Sequence, residues 1–159
     1  MALQIELSNY RALVTGVSSG IGARIARTLA QAGCDVAGCG LDNEGSVGAQ
    51  SFLAHAHALG RRAFYRVVDI ADGVAARTFV EWAAGQLGGM DVVVSNAGRN
   101  VFKGAAGSIE EDWGANADLN LAAHWRVMQT IRRFRTSYRM LTYGCVPFSN
   151  RSASRVASE

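Results

Sequence analysis

Thr15-Gly16-Val17-Ser18-Ser19-Gly20-Ile21-Gly22 joins an apolar run, Ala12-Leu13-Val14, to an amphipathic segment through three glycines. That order predicts a strand, a tight turn and a helix start. Glycines let the backbone turn sharply and approach a phosphate, while the helix's first-turn N–H groups and its dipole favour an anion. The spacing is Gly-x3-Gly-x-Gly, not the Gly-x-Gly-x2-Gly of the commoner dinucleotide fingerprint. Such a turn can also be a plain strand-to-helix connection that binds nothing, so the surrounding chain decides.

Downstream, Ile21, Ile25, Leu29 and Ala32 recur at helical spacing, Gly33 ends that helix, and Val36 to Cys39 is a second apolar run. An alanine-rich stretch from Val47 to Leu59 presents Phe52, Leu53, Ala56 and Leu59, and Gly60 separates it from a third strand, Ala63 to Val68, closing on Asp69-Ile70. A third helix with Ala75, Phe79, Trp82 and Ala83 inward ends at Gly88-Gly89. Asp91 to Ser95 is a continuous apolar strand of the kind buried on both faces, and it breaks at Asn96-Ala97-Gly98. Four strands alternating with three helices predict a parallel α/β sheet with right-handed crossovers. After a loop, Ser108 with Glu111 has the form of a capping box opening a helix over about 109–131, on which Trp113, Ala117, Asn120, Leu121, His124, Trp125 and Met128 share the repeat. Glu110, Glu111 and Asp112 suit the positive end of that helix.

Length and composition (159 residues, 49% apolar, a single proline) suit one domain with a real core. The apolar runs have only strand length and the N-terminus has no basic-then-apolar leader, so neither membrane span nor signal peptide is expected and the location predicted is cytoplasmic. Three cysteines, Cys34, Cys39 and Cys145, lack metal-ligand spacing, and His55 and His57 face different directions on their helix, so no metal site is expected. The net charge of +3 is uneven: residues 1–131 carry ten Lys+Arg and twelve Asp+Glu, whereas 132–159 carry six Arg and one Glu. The domain is therefore expected over 1–131, followed by a basic Ser/Arg-rich tail, 132–159, disordered or loosely packed. A short strand within 140–146 is the one regular element open to that tail.

With these pieces in place, the chain over about residues 9–131 resembles the short-chain dehydrogenase/reductase family. Thr15-Gly16 through Gly22 is similar to that family's cofactor turn, and Asp69-Ile70 stands where the family contacts the adenine ring. Asp91 to Gly98 resembles its Asn-Ala-Gly strand, with Asn96 bracing the sheet and Ala97-Gly98 lining the cofactor. Trp113 with Asp118-Leu119-Asn120-Leu121 resembles the family's Trp…Val-Asn-Leu helix, making Asn120 the counterpart of its catalytic-network asparagine. The resemblance implies a Rossmann-like doubly wound sheet, incomplete here, in the order 3-2-1-4. It also implies hydride transfer between nicotinamide and an alcohol or carbonyl carbon, with NAD or NADP held by Gly16, Ser18, Ser19, Gly20, Ile21, Gly22, Asp42, Asp69, Ile70, Asn96, Ala97 and Gly98. The position of the family's ribose-binding aspartate falls on Gly40. Asp42 would repel a 2′-phosphate, which leans the expectation to NAD.

The family's proton-exchange pair, Tyr-x3-Lys, is missing. An unperturbed phenol is a poor base at neutral pH without a fixed cation. The sole lysine, Lys103, lies in a loop with Arg99 four residues before it; Tyr138 and Tyr143 are followed four places on by Thr142 and Pro147. The expectation is a chain shortened or frame-changed near Ile131, with strand 4 left as an edge and with little or no turnover. The alternative is an inactive NAD(H)-binding module, or one pairing through the 109–131 helix with itself or with a full-length relative. A lesser alternative is nucleic-acid contact by the arginines with Phe134, Tyr138 and Tyr143.

Overall fold

The computed structural model describes residues 5–99, 103, 107–132 and the backbone of 139–140. Strand β1 (Arg11–Thr15) leads into helix α1 (Gly20–Gln31), then β2 (Asp35–Gly40), α2 (Val47–Ala58), β3 (Ala63–Val67), α3 (Gly73–Leu87) and β4 (Val92–Val94). A long helical segment follows: α4 (Glu110–Ala117), a π-helical turn (Asp118–Ala122) and α5 (Ala123–Ile131). The strands pair in parallel in the order 3-2-1-4, as the alternation of elements requires. A fifth strand, β5 (Arg139–Met140), pairs in parallel with β4 through Val92↔Arg139 and Val93↔Met140. Strand β4 is thus not the bare edge expected, because backbone from the stretch assigned to the tail supplies its outer hydrogen-bonding partner. Apart from Arg132, the rest of that tail, including Tyr138, Tyr143 and Cys145, lies outside the described residues.

Two cores flank the sheet. On one face Val14, Val36, Phe52 and Tyr65 pack with Ala26, Ala30 and Ala49 of α1 and α2. On the other, Leu13, Val93, Phe79, Leu87, Val127 and Ile131 pack under α3 and α5. Cys34 and Cys39 divide between these faces as their five-residue spacing predicts. Both thiols are buried, which pushes them up to about 11 and about 12 and keeps them protonated.

Hydrophobicity misled on which faces turn inward. In α1 the buried positions are Gly22, Ala26 and Ala30, while Ile21 is 69% exposed. Small residues let this helix sit close on the strand, and the larger Ile25 and Leu29 flank the contact. In α3 the buried row is Ala76, Phe79, Val80, Ala83 and Leu87, with Ala75 and Trp82 at its border. In α2 Ala49 joins Phe52 and Ala56 inside, and Leu59 is exposed. The π turn changes the face of the last helical segment: Ala123, Val127 and Ile131 go in, whereas Trp113, Leu121 and Trp125 are left on the surface. The N-cap falls on Ile109 and not Ser108, and Asp112 accepts from the Ile109 N–H at 3.2 Å. No helix among the described residues is long and apolar enough to cross a membrane.

Candidate functional site

The C-terminal ends of β1 to β4 open onto one crevice of about 610 Å³. Loops leaving neighbouring strands for opposite faces of a parallel sheet diverge there, which is why ligands of doubly wound folds bind at this end. Each strand contributes: Gly16, Ser18, Ser19, Gly20 and Ile21 after β1; Cys39, Gly40, Leu41 and Asp42 around the end of β2; Val68, Asp69 and Ile70 after β3; Asn96, Ala97, Gly98 and Arg99 after β4. Leu119 of the π turn closes one side.

The glycine turn is built for close approach. Gly16 and Gly20 have φ of 76° and 58°, in the left-handed region that glycine alone enters cheaply. Gly22 lies inside the turn: a Cβ there would collide with the Gly16 carbonyl and with Asn96 Nδ2. Ser19 is the N-cap of α1, but its side chain makes no cap bond, and the first turn carries no acidic residue. The positive end of α1 therefore faces the crevice uncapped.

Thr15 joins the two central strand ends. Its Oγ1 accepts from the N–H groups of Asn96 and Ala97, both at 2.9 Å, and Asn96 Nδ2 donates to the Thr15 carbonyl at 3.0 Å. Asn96 thus braces the sheet, and its side chain faces the turn. Asn120 does not line the crevice. Its Oδ1 accepts from Arg99 N–H at 3.0 Å and its Nδ2 donates to the Arg99 carbonyl at 2.7 Å, holding the backbone just after Gly98. Asp69 accepts from Ala71 N–H at 2.9 Å, an Asx turn that shapes the third loop, and Arg126 of α5 donates to the Ala71 carbonyl at 2.8 Å.

Sequence reading had not selected the Gly40–Tyr65 contact. The Tyr65 hydroxyl donates to the Asp42 carbonyl at 2.7 Å from a ring packed beneath α2. Burial, with the Asp42 charge adding to it, holds this phenol above its ordinary value, so it stays a donor. Across the sheet, Ser95 Oγ lies 2.5 Å from His124 Nδ1, and burial holds the imidazole below its ordinary value. Lys103, half exposed, forms an ion pair at 2.8 Å with Asp112 in the first turn of α4. Among the described residues no cluster of His, Cys, Asp or Glu could hold a metal.

These features belong to a known architecture. The family model for short chain dehydrogenase matches residues 10–137, six beyond the point where the sequence pattern fades. The 2-dehydro-3-deoxy-D-gluconate 5-dehydrogenase of Dickeya dadantii is 31% identical over 128 residues, covering 80% of this chain and 49% of that protein. A short chain dehydrogenase from Burkholderia cenocepacia, solved in complex with NADP, is 37% identical with a TM-score of 0.80, over 86% of this chain and 56% of that one. A blue fluorescent protein from a metagenomic library, solved in complex with NADPH, is 31% identical with a TM-score of 0.78, over the same shares. The chain spans about half the length of the curated relatives it matches. By motif, topology and match, it belongs to the short-chain dehydrogenase/reductase family of oxidoreductases.

Proposed function

We propose that this chain binds a nicotinamide dinucleotide across the strand ends, with the pyrophosphate at the start of α1. The supporting observation is the uncapped first turn of α1, free of acid, set against a glycine turn whose Gly22 leaves no room for a side chain. Ser18, Ser19, Gly20 and Ile21 contact the phosphates and ribose, Asp42 rims the ribose, Asp69-Ile70 border the adenine, and Asn96-Ala97-Gly98 border the nicotinamide side. When bound, the cofactor supplies hydride exchange with an alcohol or carbonyl carbon. Asn120 acts as a positioning residue through Arg99 and Gly98. No Tyr-x3-Lys pair occurs in the 159 residues, so this chain is assigned binding with little or no turnover. The NADP and NADPH complexes of its structural relatives give no support to a preference for NAD, and both cofactors are proposed to enter.

Titration with NADH and NADPH, following energy transfer from Trp82, Trp113 and Trp125, tests this reading. Saturable quenching with enhanced nicotinamide emission is expected; absence of binding to either would overturn it.

A second reading rests on Trp113, Leu121 and Trp125, which are 75%, 53% and 63% exposed along the last helical segment. Three such side chains on one segment suit a partner surface, here a second copy or a longer relative. Sedimentation velocity is expected to show a dimer that Trp125→Glu weakens.

A further inference from the structure

Dinucleotide folds commonly place an acidic side chain near the end of the second strand to accept the ribose hydroxyls. In this chain the last residue of β2 is Gly40, and the space beside it is filled. A Cβ on Gly40 would stand 2.8 Å from the Tyr65 hydroxyl and 2.8 Å from Ser18 Oγ. Tyr65 comes from β3, where it pairs with Gly38, and its side chain leans along the strand direction to reach the end of β2. Its ring is 7% exposed and packs 6.4 Å from the Phe52 ring, so it cannot swing aside as a surface side chain does. The hydroxyl it brings is neutral, and its proton is committed to the Asp42 carbonyl at 2.7 Å.

Building on the proposed cofactor reading, we propose that Tyr65 is a specificity-determining residue. Its hydroxyl occupies the seat of a β2 carboxylate, fixes the Asp42 backbone at the crevice rim, and so leaves the cofactor's 2′ position without a fixed acceptor. The consequence is an energetic coupling between positions 40 and 65. A carboxylate introduced at 40 cannot settle while the Tyr65 hydroxyl is present. Removing that hydroxyl clears one of the two atoms that crowd position 40, leaves the half-buried Ser18 hydroxyl, its other hydrogen-bond partner, to turn aside by side-chain rotation, and leaves the Asp42 carbonyl, on an exposed residue, to be satisfied by water.

The test is a double-mutant cycle on the full chain with NADH and NADPH. Wild type is expected to bind the two within about tenfold, and Gly40→Asp to bind both more weakly. The double variant Gly40→Asp/Tyr65→Phe is expected to recover NADH affinity and to prefer NADH by about tenfold more than wild type, the scale of coupling between contacting residues. A parallel cycle with Gly40→Ala, read by thermal unfolding, needs no cofactor: the loss of Tm is expected to shrink when Tyr65 is Phe. If Gly40→Asp alone gains the NADH preference, or if Gly40→Ala costs the same in both backgrounds, the assignment is overturned. A wild type that binds neither nucleotide removes the specificity role together with the functional reading, while the Tm cycle still decides the steric relation by itself.

Discussion

Thr15 Oγ1 accepts two backbone hydrogen bonds, from Asn96 and Ala97, and in doing so joins the end of β1 to the turn after β4. Thr15 is fully buried, so water cannot replace it. Thr15→Val keeps the shape but leaves two N–H groups without this acceptor, with an expected loss of about 2 kcal/mol in urea unfolding. Thr15→Ser keeps the hydroxyl and is expected to lose mainly a methyl's worth, about 1 kcal/mol. NADH affinity is expected to follow the same order, because Ala97 and Gly98 border the crevice.

Gly20 and Gly22 lie two residues apart and predict unequal responses to alanine. At Gly20 an added Cβ meets nothing within 4 Å, so the cost is the left-handed backbone alone, about 1–2 kcal/mol. At Gly22 the Cβ collides with the Gly16 carbonyl and the Asn96 amide, which forces the turn apart. Gly22→Ala is expected to cost more stability than Gly20→Ala in urea unfolding and to abolish NADH binding outright.

The sequence made the alternation of strands and helices legible because local signals carried it: apolar runs of strand length, glycine stops, and the Asn-Ala-Gly break. Those signals also named residues that do converge on one crevice, since parallel topology brings every strand's C-terminal end to the same side. What sequence periodicity missed depends on partners far along the chain. Ile21 looks like core by hydropathy, yet α1 must approach β1 closely, and that contact selects Gly22, Ala26 and Ala30. The π turn at Asp118–Ala122 inserts a residue that no composition signal marks, and it moves Trp125 outward. Tyr65 reads as an ordinary strand aromatic until β2 and β3 are paired in register.

Ser95 Oγ and His124 Nδ1, 2.5 Å apart, predict a measurable pH dependence. Burial holds the His124 pKa below its ordinary value of 6.5, so over this range the unfolded chain takes up the proton more readily than the folded one. Stability is therefore expected to be full above the ordinary histidine value and to decline as pH falls toward the folded pKa. Following the His124 ring protons by NMR should give a midpoint below that ordinary value, and His124→Asn should flatten the decline. A midpoint at or above it would mean that the imidazole is stabilised as a cation.

At the opposite end of the sheet, Arg11 and Asp91 supply a control that separates stability from binding. Arg11 Nε and Nη2 donate to the two Asp91 oxygens at 2.7 and 2.9 Å, and Arg11 Nη1 reaches the Gly88 carbonyl at 2.6 Å. These bonds hold the Asp91 carboxyl below its ordinary value, so their contribution is full above the usual carboxylate range and is lost as pH falls through the folded pKa. Asp91→Asn is expected to cost on the order of 1 kcal/mol at neutral pH and to reduce the acid-side slope of stability. Its effect on NADH affinity is expected to be nil, because Arg11 and Asp91 sit where β1 and β4 begin, whereas the crevice lies where those strands end. A parallel loss of affinity would show that the whole sheet, and not the strand ends alone, sets the geometry of the crevice.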